Sequence, residues 1–257
     1  MVTATPIPIL SDNYVWVCSR SGSQSAVIVD PGEAGPVEAY LRASNLKCDA
    51  VFLTHHHADH VDGAAELGTL WNCPVYGPRD EDISAVTNPV CESETIDSAH
   101  LAFDIWSIPG HTRAHVAYVG HGLVFCGDTL FAGGCGRIFE GTPAEMYASL
   151  TRLAGLDLET LVCCAHEYTV ANLEFARSAE PDNTALRNRL EWARATRSTN
   201  RPTLPSRLKD ELATNPFLRC HGPEVILAAS EKAGRALEPG LEVFTEIRRW
   251  KDGFRAR

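Results

Sequence analysis

The chain has 257 residues, of which 44% are hydrophobic and 22% charged, and its formal net charge is −10. This length suits one large globular domain, or a medium one with a smaller companion. The acidic balance counts against nucleic acid as a partner, because phosphate binding needs a basic surface, and no apolar stretch reaches the ~18 residues that would span a bilayer.

The chain opens with Met1-Val2-Thr3-Ala4-Thr5-Pro6, without a basic residue, and Ile7-Pro8-Ile9-Leu10 is too short and proline-broken for a signal segment. A cytoplasmic location is expected. Apolar runs at 14–18 and 26–29, joined by Ser and Gly, predict a β-hairpin, and Asp30-Pro31-Gly32 ends the second strand with turn residues. A helix is predicted over 36–43 and a buried strand over 50–53. Next comes Thr54-His55-His56-His57-Ala58-Asp59-His60, a dense set of imidazole and carboxylate donors that suits zinc, manganese or iron. In an extended segment His55 and His57 project to one side and His56 to the other. Asp59 and His60 follow where the chain bends into a helix predicted over 61–70, so one cluster can serve two metals.

A short strand is predicted at 73–76, while 79–98 reads as polar and irregular, with no function assigned. The strand expected at 101–108 ends at Pro109-Gly110-His111. Runs at 116–119 and 123–126 predict a hairpin around Gly120-His121-Gly122, and the second run ends at Gly127-Asp128. After the loop Gly133-Gly134-Cys135-Gly136-Arg137, Thr142-Pro143-Ala144-Glu145 has the pattern of a capping box. A last buried strand at 161–165 ends at His166. Beyond Tyr168 the chain turns helical, with helices predicted over 172–178, 185–197, 223–233 and 241–251, and a domain boundary is placed near 167. The nine cysteines, with no C-x-x-C spacing, read as reduced, mostly buried thiols. Four apolar runs thus end in candidate ligands, at the His cluster, His111, Asp128 and His166, and strand ends on one rim are where sites are built.

These residues resemble the metallo-β-lactamase fold superfamily, through the His cluster, Gly110-His111-Thr112, Gly127-Asp128 and His166. Within it the chain is similar to the glyoxalase II (hydroxyacylglutathione hydrolase) family. That closer likeness rests on Gly134-Cys135-Gly136-Arg137-Ile138-Phe139-Glu140-Gly141, His166-Glu167-Tyr168-Thr169, Asn215-Pro216-Phe217-Leu218-Arg219 and Arg248-Arg249-Trp250-Lys251-Asp252. The resemblance implies an α+β architecture, an αββα sandwich of two mixed sheets (1–167) with a small helical substrate-binding domain (168–257). It implies two divalent metal ions, zinc foremost with iron or manganese also suited. His55, His57 and His111 would take one, Asp59, His60 and His166 the other, with Asp128 bridging. The implied reaction is hydrolysis of S-(2-hydroxyacyl)glutathione, chiefly S-D-lactoylglutathione, to glutathione and D-lactate by a hydroxide held between the metals, with Asp59 and Asp128 as catalytic residues. Arg137, Ile138, Phe139, Tyr168, Arg248 and Lys251 would bind the glutathione part of a small-molecule thioester, and a monomer is expected.

Two positions depart from the family pattern. Ala114 replaces a usual glycine, and a positive φ there would cost on the order of 1 kcal/mol. Phe139 replaces a tyrosine found in some members, which removes a hydroxyl contact. Among other readings, a one-iron persulfide dioxygenase shares the His cluster and the Gly-Cys-Gly-Arg loop but lacks the helical carboxyl-terminal region. A lactonase, a nuclease and a non-catalytic metal binder are further alternatives. The acidic charge weighs against the nuclease, and the full complement of candidate ligands weighs against the metal binder.

Overall fold

Two mixed six-stranded sheets lie face to face in the computed structural model, which describes residues 1–255. The first sheet runs in the order β1 (Val2–Ile9), β2 (Asn13–Arg20), β3 (Ser25–Val29), β4 (Lys47–Phe52), β5 (Val75–Pro78), β6 (Asn88–Val90). β1 to β3 pair antiparallel, whereas β3 to β6 are parallel and need crossovers. Helix α1 (Ala34–Ala43) supplies one crossover; α2 (Ala58–Val61) and α3 (Ala64–Trp71) supply the next. The near-continuous apolar run of β2 follows from burial on both faces. Tyr14, Trp16 and Cys18 enter the core between the sheets, while Val15 and Val17 face Val37, Leu41 and Leu67 of α1 and α3.

The second sheet takes β7 (Thr95–Ser98), β8 (Leu101–Ser107), β9 (Val116–Gly120), β10 (Leu123–Gly127), β13 (Leu161–Cys164) and β14 (Ser206–Arg207), in that spatial order. His121 and Gly122 join β9 to β10 with φ of 56° and 74°, the left-handed values that a tight I′ hairpin requires at both positions. A two-stranded ribbon, β11 (Leu130–Phe131) with β12 (Gly134–Cys135), carries the glycine-rich loop. Phe52 and Tyr118 stack across the sheets at 4.6 Å between ring centroids, with Phe103 edge-on to Phe52 at 5.8 Å. Each such fully buried ring contributes about 1.5–3 kcal/mol. The Tyr118 hydroxyl also donates to Leu53 O at 2.7 Å, pinning the backbone just before the histidine loop.

α4 (Pro143–Ala154) begins with the capping box expected for Thr142 and Glu145. The remaining helices are α5 (Thr169–Ala179), α6 (Thr184–Arg197), α7 (Leu208–Thr214), α8 (Pro223–Ala233) and α9 (Leu241–Asp252), with a 3-10 turn at Pro216–Leu218. Phe175, Phe217, Phe244 and Ile247 from this segment belong to the same buried cluster as the sheet residues. The expected αββα layering is therefore the observed architecture, with helices on the outside. No helix among the described residues is long and apolar enough to cross a membrane.

Several local expectations are corrected. No strand is expected before residue 14, yet β1 forms, with Pro6 and Pro8 two apart on an edge strand, where both missing N–H groups face away from β2. The helix expected over 61–70 breaks between α2 and α3 at Gly63, whose N–H donates to Pro31 O at 2.8 Å in a space too close for a Cβ. The stretch 79–98 is not wholly irregular, since it contains β6 and β7, and α7 forms at a place where no helix is expected. Ala114 does not have a positive φ, so its substitution for glycine carries no such strain. All nine cysteines are free thiols, and most are buried.

Candidate metal centre

The histidine loop leaves the end of β4 and is tied at once to the end of β3. Asp30 Oδ1 accepts from Thr54 N at 2.8 Å, and its Oδ2 accepts from Thr54 Oγ1 at 2.7 Å and lies 3.2 Å from His60 Nδ1. This buried carboxylate holds both ends of the loop. His55 Nε2 and His111 Nε2 then lie 3.1 and 3.0 Å from His57 Nδ1, so three ring nitrogens converge on one point. Burial, helped by the neighbouring imidazoles, keeps His55 and His57 below the usual histidine range; burial also lowers His111. All three are neutral at pH 7 and present lone pairs, the form that binds a cation.

Beside them stand Asp59, His60 and His166, whose donor atoms lie within 4.8 Å of one another. Asp128 spans both groups. Its Oδ2 is 3.5 Å from His111 Nε2, while its Oδ1 is 3.5 Å from His60 Nε2 and 3.4 Å from His166 Nε2. Burial opposes charge on His166, but the facing carboxylates of Asp128, Asp59 and Asp12 override it and push the imidazole up to about 11. The Asp59 carboxyl, bonded to His166, is held well below the usual carboxylate range. The electrostatics of this second group therefore demand positive charge. Two buried atoms there, His60 Nε2 and Asp128 Oδ1, have no hydrogen-bond partner. Unpartnered buried donors of this kind, all nitrogen or carboxylate oxygen, fit divalent-cation binding.

His56 points away, as expected, and is not idle. Its Nδ1 and Nε2 meet Glu81 at 3.0 Å and Glu140 at 3.2 Å, and the buried side chain of Glu81 also accepts from Thr112 Oγ1 beside His111. Glu81 links the two ligand loops, yet it lies in the stretch to which no function was assigned. Nothing in its local sequence signals the role. His115 stacks on His55 at 4.6 Å, and its Nε2 accepts from Asp128 N at 3.2 Å. Gly136 is required by proximity, since a Cβ there would land on the Asp128 carbonyl oxygen. The helical segment holds this loop, with Asn215 Nδ2 donating to Gly134 O at 2.9 Å and Glu211 accepting from Gly133 N at 2.8 Å.

A cleft of ≈ 460 Å³ opens from His111 and Asp128 toward Arg137, Phe139, Tyr168, Arg248 and Lys251. Phe139 is exposed, with its ring edge-on to His57 and His111. Tyr168 stacks on His166 at 4.7 Å with 5° between the planes. Arg248 is buried; Nη1 donates to Cys135 O at 2.9 Å, Nη2 to Asp252 at 3.0 Å, and Nε has no partner. Arg137 Nε lies 3.7 Å from the same Asp252 oxygen, and Lys251 Nζ donates to Ala171 O at 3.3 Å. Ile138 is half-buried and packs against the core.

A hydroxyacylglutathione hydrolase of Alkalilimnicola ehrlichii is 49% identical over 254 residues, covering 98% of this chain and 99% of that protein. Another from Xanthomonas campestris pv. campestris is 50% identical over 253 residues, again covering 98% and 99%. The chain belongs to the hydroxyacylglutathione hydrolase family. The family model for the hydroxyacylglutathione hydrolase C-terminus matches residues 167–254, and that of the metallo-beta-lactamase superfamily matches 10–107 and 103–166. Among solved structures, the BLEG-1 B3 metallo-beta-lactamase superposes with a TM-score of 0.64 at 20% identity, covering 85% of this chain and 99% of that one. ETHE1 from Myxococcus xanthus gives 0.59 at 27% identity, covering 86% and 99%. TTHA1623, solved in a di-iron-bound form, gives 0.54 at 28% identity, covering 63% and 91%.

Proposed function

We propose that this chain hydrolyses the thioester of S-(2-hydroxyacyl)glutathione, chiefly S-D-lactoylglutathione, to glutathione and D-lactate. The observation that carries the reading is a cluster of nitrogen and carboxylate donors, spanned by Asp128, at the head of a cleft that also contains Arg137, Arg248 and Lys251. In this reading His55, His57 and His111 hold one divalent cation and Asp59, His60 and His166 a second, with Asp128 shared. Cations held there would polarise the thioester carbonyl and bring the pKa of water down toward neutrality. Zinc suits this donor set, as do iron and manganese. The di-iron form of TTHA1623, a 28%-identical structure, supports the two-cation count.

The chain's own residues then bind, orient and exclude. Asp59 orients the attacking water by accepting its hydrogen bond. Glutathione leaves as a thiolate, whose pKa near that of a free cysteine, about 8.5, makes a strong general acid unnecessary. The cations of the cleft, Arg137, Lys251 and Arg248, take the substrate carboxylates, while Tyr168 and Phe139 cover its stem beside the donors. Ile138 supports this wall from behind. The helical segment 168–257 acts as the substrate-binding unit, since Arg248, Lys251 and Tyr168 come from it. A monomer in the cytoplasm completes the proposal, and nine free thiols suit a reducing compartment.

The one-iron persulfide oxidoreductase reading is set aside, because the matched segment 167–254 is the region that reading lacks. The test is turnover of S-D-lactoylglutathione by the purified chain, with metal analysis of the same sample. Loss of the thioester, with two metals per chain, is expected. Full activity with less than one metal per chain would overturn the two-cation mechanism.

A further inference from the structure

The turn between β1 and β2 touches the second ligand group, although its sequence carries no metal-binding pattern. Its backbone is fastened to the strand end that bears His166. Tyr14 N donates to Ala165 O at 2.7 Å, Glu167 N donates to Asp12 O at 2.8 Å, and Asn13 forms an isolated antiparallel bridge with His166. From this platform two side chains reach inward. Asp12 Oδ1 lies 2.8 Å from His166 Nδ1, and the buried Asn13 donates Nδ2 to Asp59 Oδ2 at 2.8 Å.

Each contact settles the state of a donor. With its Nδ1–H given to Asp12, the His166 ring can meet a cation only through Nε2, the atom 3.4 Å from both Asp59 and Asp128. The Asn13 amide fixes the plane of the Asp59 carboxylate, whose Oδ2 also lies 3.5 Å from His60 Nε2. The first group is braced differently. His55 Nδ1 meets Thr54 Oγ1 at 3.0 Å and His111 Nδ1 meets Arg137 O at 2.7 Å, both neutral partners on other segments. Damage to the turn therefore acts on one group and spares the other.

We propose that Asp12 and Asn13 are positioning residues, which hold His166 and Asp59 in the orientation and tautomer that bind a cation in the second group. The inference rests on the two-cation reading above. Outer partners of this kind typically change metal affinity by about 10–100-fold.

The experiment measures release of metal from the loaded full-length protein to a chromophoric chelator, with the unfolding temperature of each chelator-stripped protein recorded alongside. In Asp12→Ala and Asn13→Ala, one metal equivalent should leave at least about tenfold faster than in the wild type, and the other at the wild-type rate. Asp12→Asn keeps an oxygen for the His166 N–H and should recover most of the loss. Unchanged release in both alanine variants, from a wild type that holds two equivalents, would overturn the inference alone. Equal acceleration of both equivalents, with a matching fall in unfolding temperature of the stripped protein, would make the turn a general strut and overturn it too. A wild type holding fewer than two equivalents would overturn the two-cation reading and this inference with it.

Discussion

Replacing Asp30 by Asn tests how the histidine loop is tied to the sheet. The buried carboxylate accepts from Thr54 N at 2.8 Å and Thr54 Oγ1 at 2.7 Å, and faces His60 Nδ1 at 3.2 Å. Asparagine fits the space and tolerates the positive φ of 52° at this position. Its oxygen still accepts from Thr54 N, and its NH₂ then points at Thr54 Oγ1 and His60 Nδ1. The threonine hydroxyl can rotate to accept, but the imidazole can accept only by moving its proton to Nε2. That nitrogen is the one directed at Asp59 and Asp128, so the flipped tautomer removes a lone pair from the second ligand group. Exchanging charge-assisted bonds for neutral ones costs about 1–2 kcal/mol of stability. Mispositioning one ligand costs about 10–100-fold in metal affinity, or roughly 1.4–2.8 kcal/mol. Urea unfolding of the stripped protein reads the first effect, and titration of the stripped protein with zinc reads the second. Wild-type zinc affinity at the weaker position in Asp30→Asn would refute the tautomer argument, whatever the stability result.

Burial, reinforced by the neighbouring Arg248 cation, brings the Lys251 ammonium down to about 8, so this cation is lost as the pH rises through that value. kcat/KM should therefore fall above pH 8 through weaker carboxylate binding, and Lys251→Ala should lose that limb and raise KM about tenfold or more; an identical alkaline limb in the variant would contradict the assignment. Gly136→Ala forces a methyl onto the Asp128 carbonyl oxygen and should cost about 1–3 kcal/mol of stability with a large drop in kcat, so a variant with the wild-type melting curve and turnover would deny the close approach. Phe139→Tyr adds a hydroxyl at the exposed rim of the cleft and should lower KM for the glutathione thioester a few-fold with kcat little changed. A rise in KM would count against a substrate contact there. Chelation should abolish turnover and lower the melting temperature, with both restored by zinc, manganese or iron, because a ligand bound only to the folded state at 100 times its Kd adds about 2.7 kcal/mol. Full activity in the presence of a strong chelator would rule out the metal route.

Much of this molecule can be read along the chain because its signals are local. Apolar runs mark the central strands, and the capping box at Thr142 marks the start of α4, since each pattern depends on neighbours a few residues apart. The candidate donors were visible for the same reason. Imidazoles and carboxylates at the ends of buried strands are costly there without a partner, and the seven singled out do meet in one cluster. The motifs at residues 134–141, 215–219 and 248–252 pointed to the family through resemblance, where composition and periodicity alone said only that the chain is globular.

Tertiary structure decided the rest. The prolines of β1 are tolerable only at a sheet edge, and whether a strand is an edge is a property of the whole sheet. The bridging place of Asp128 came through resemblance alone, and nothing in the sequence signalled that Asp30, Glu81, Asp12 and Asn13 would hold the donors in place. Arg248 entered through the resemblance as a substrate contact, but the fold buries it and spends two of its nitrogens on the glycine loop and Asp252, leaving Nε unpartnered. The division has one physical cause. A donor's chemical identity is carried by the residue itself, whereas its tautomer, orientation and available lone pair are set by partners that lie from a few to more than 150 residues away along the chain.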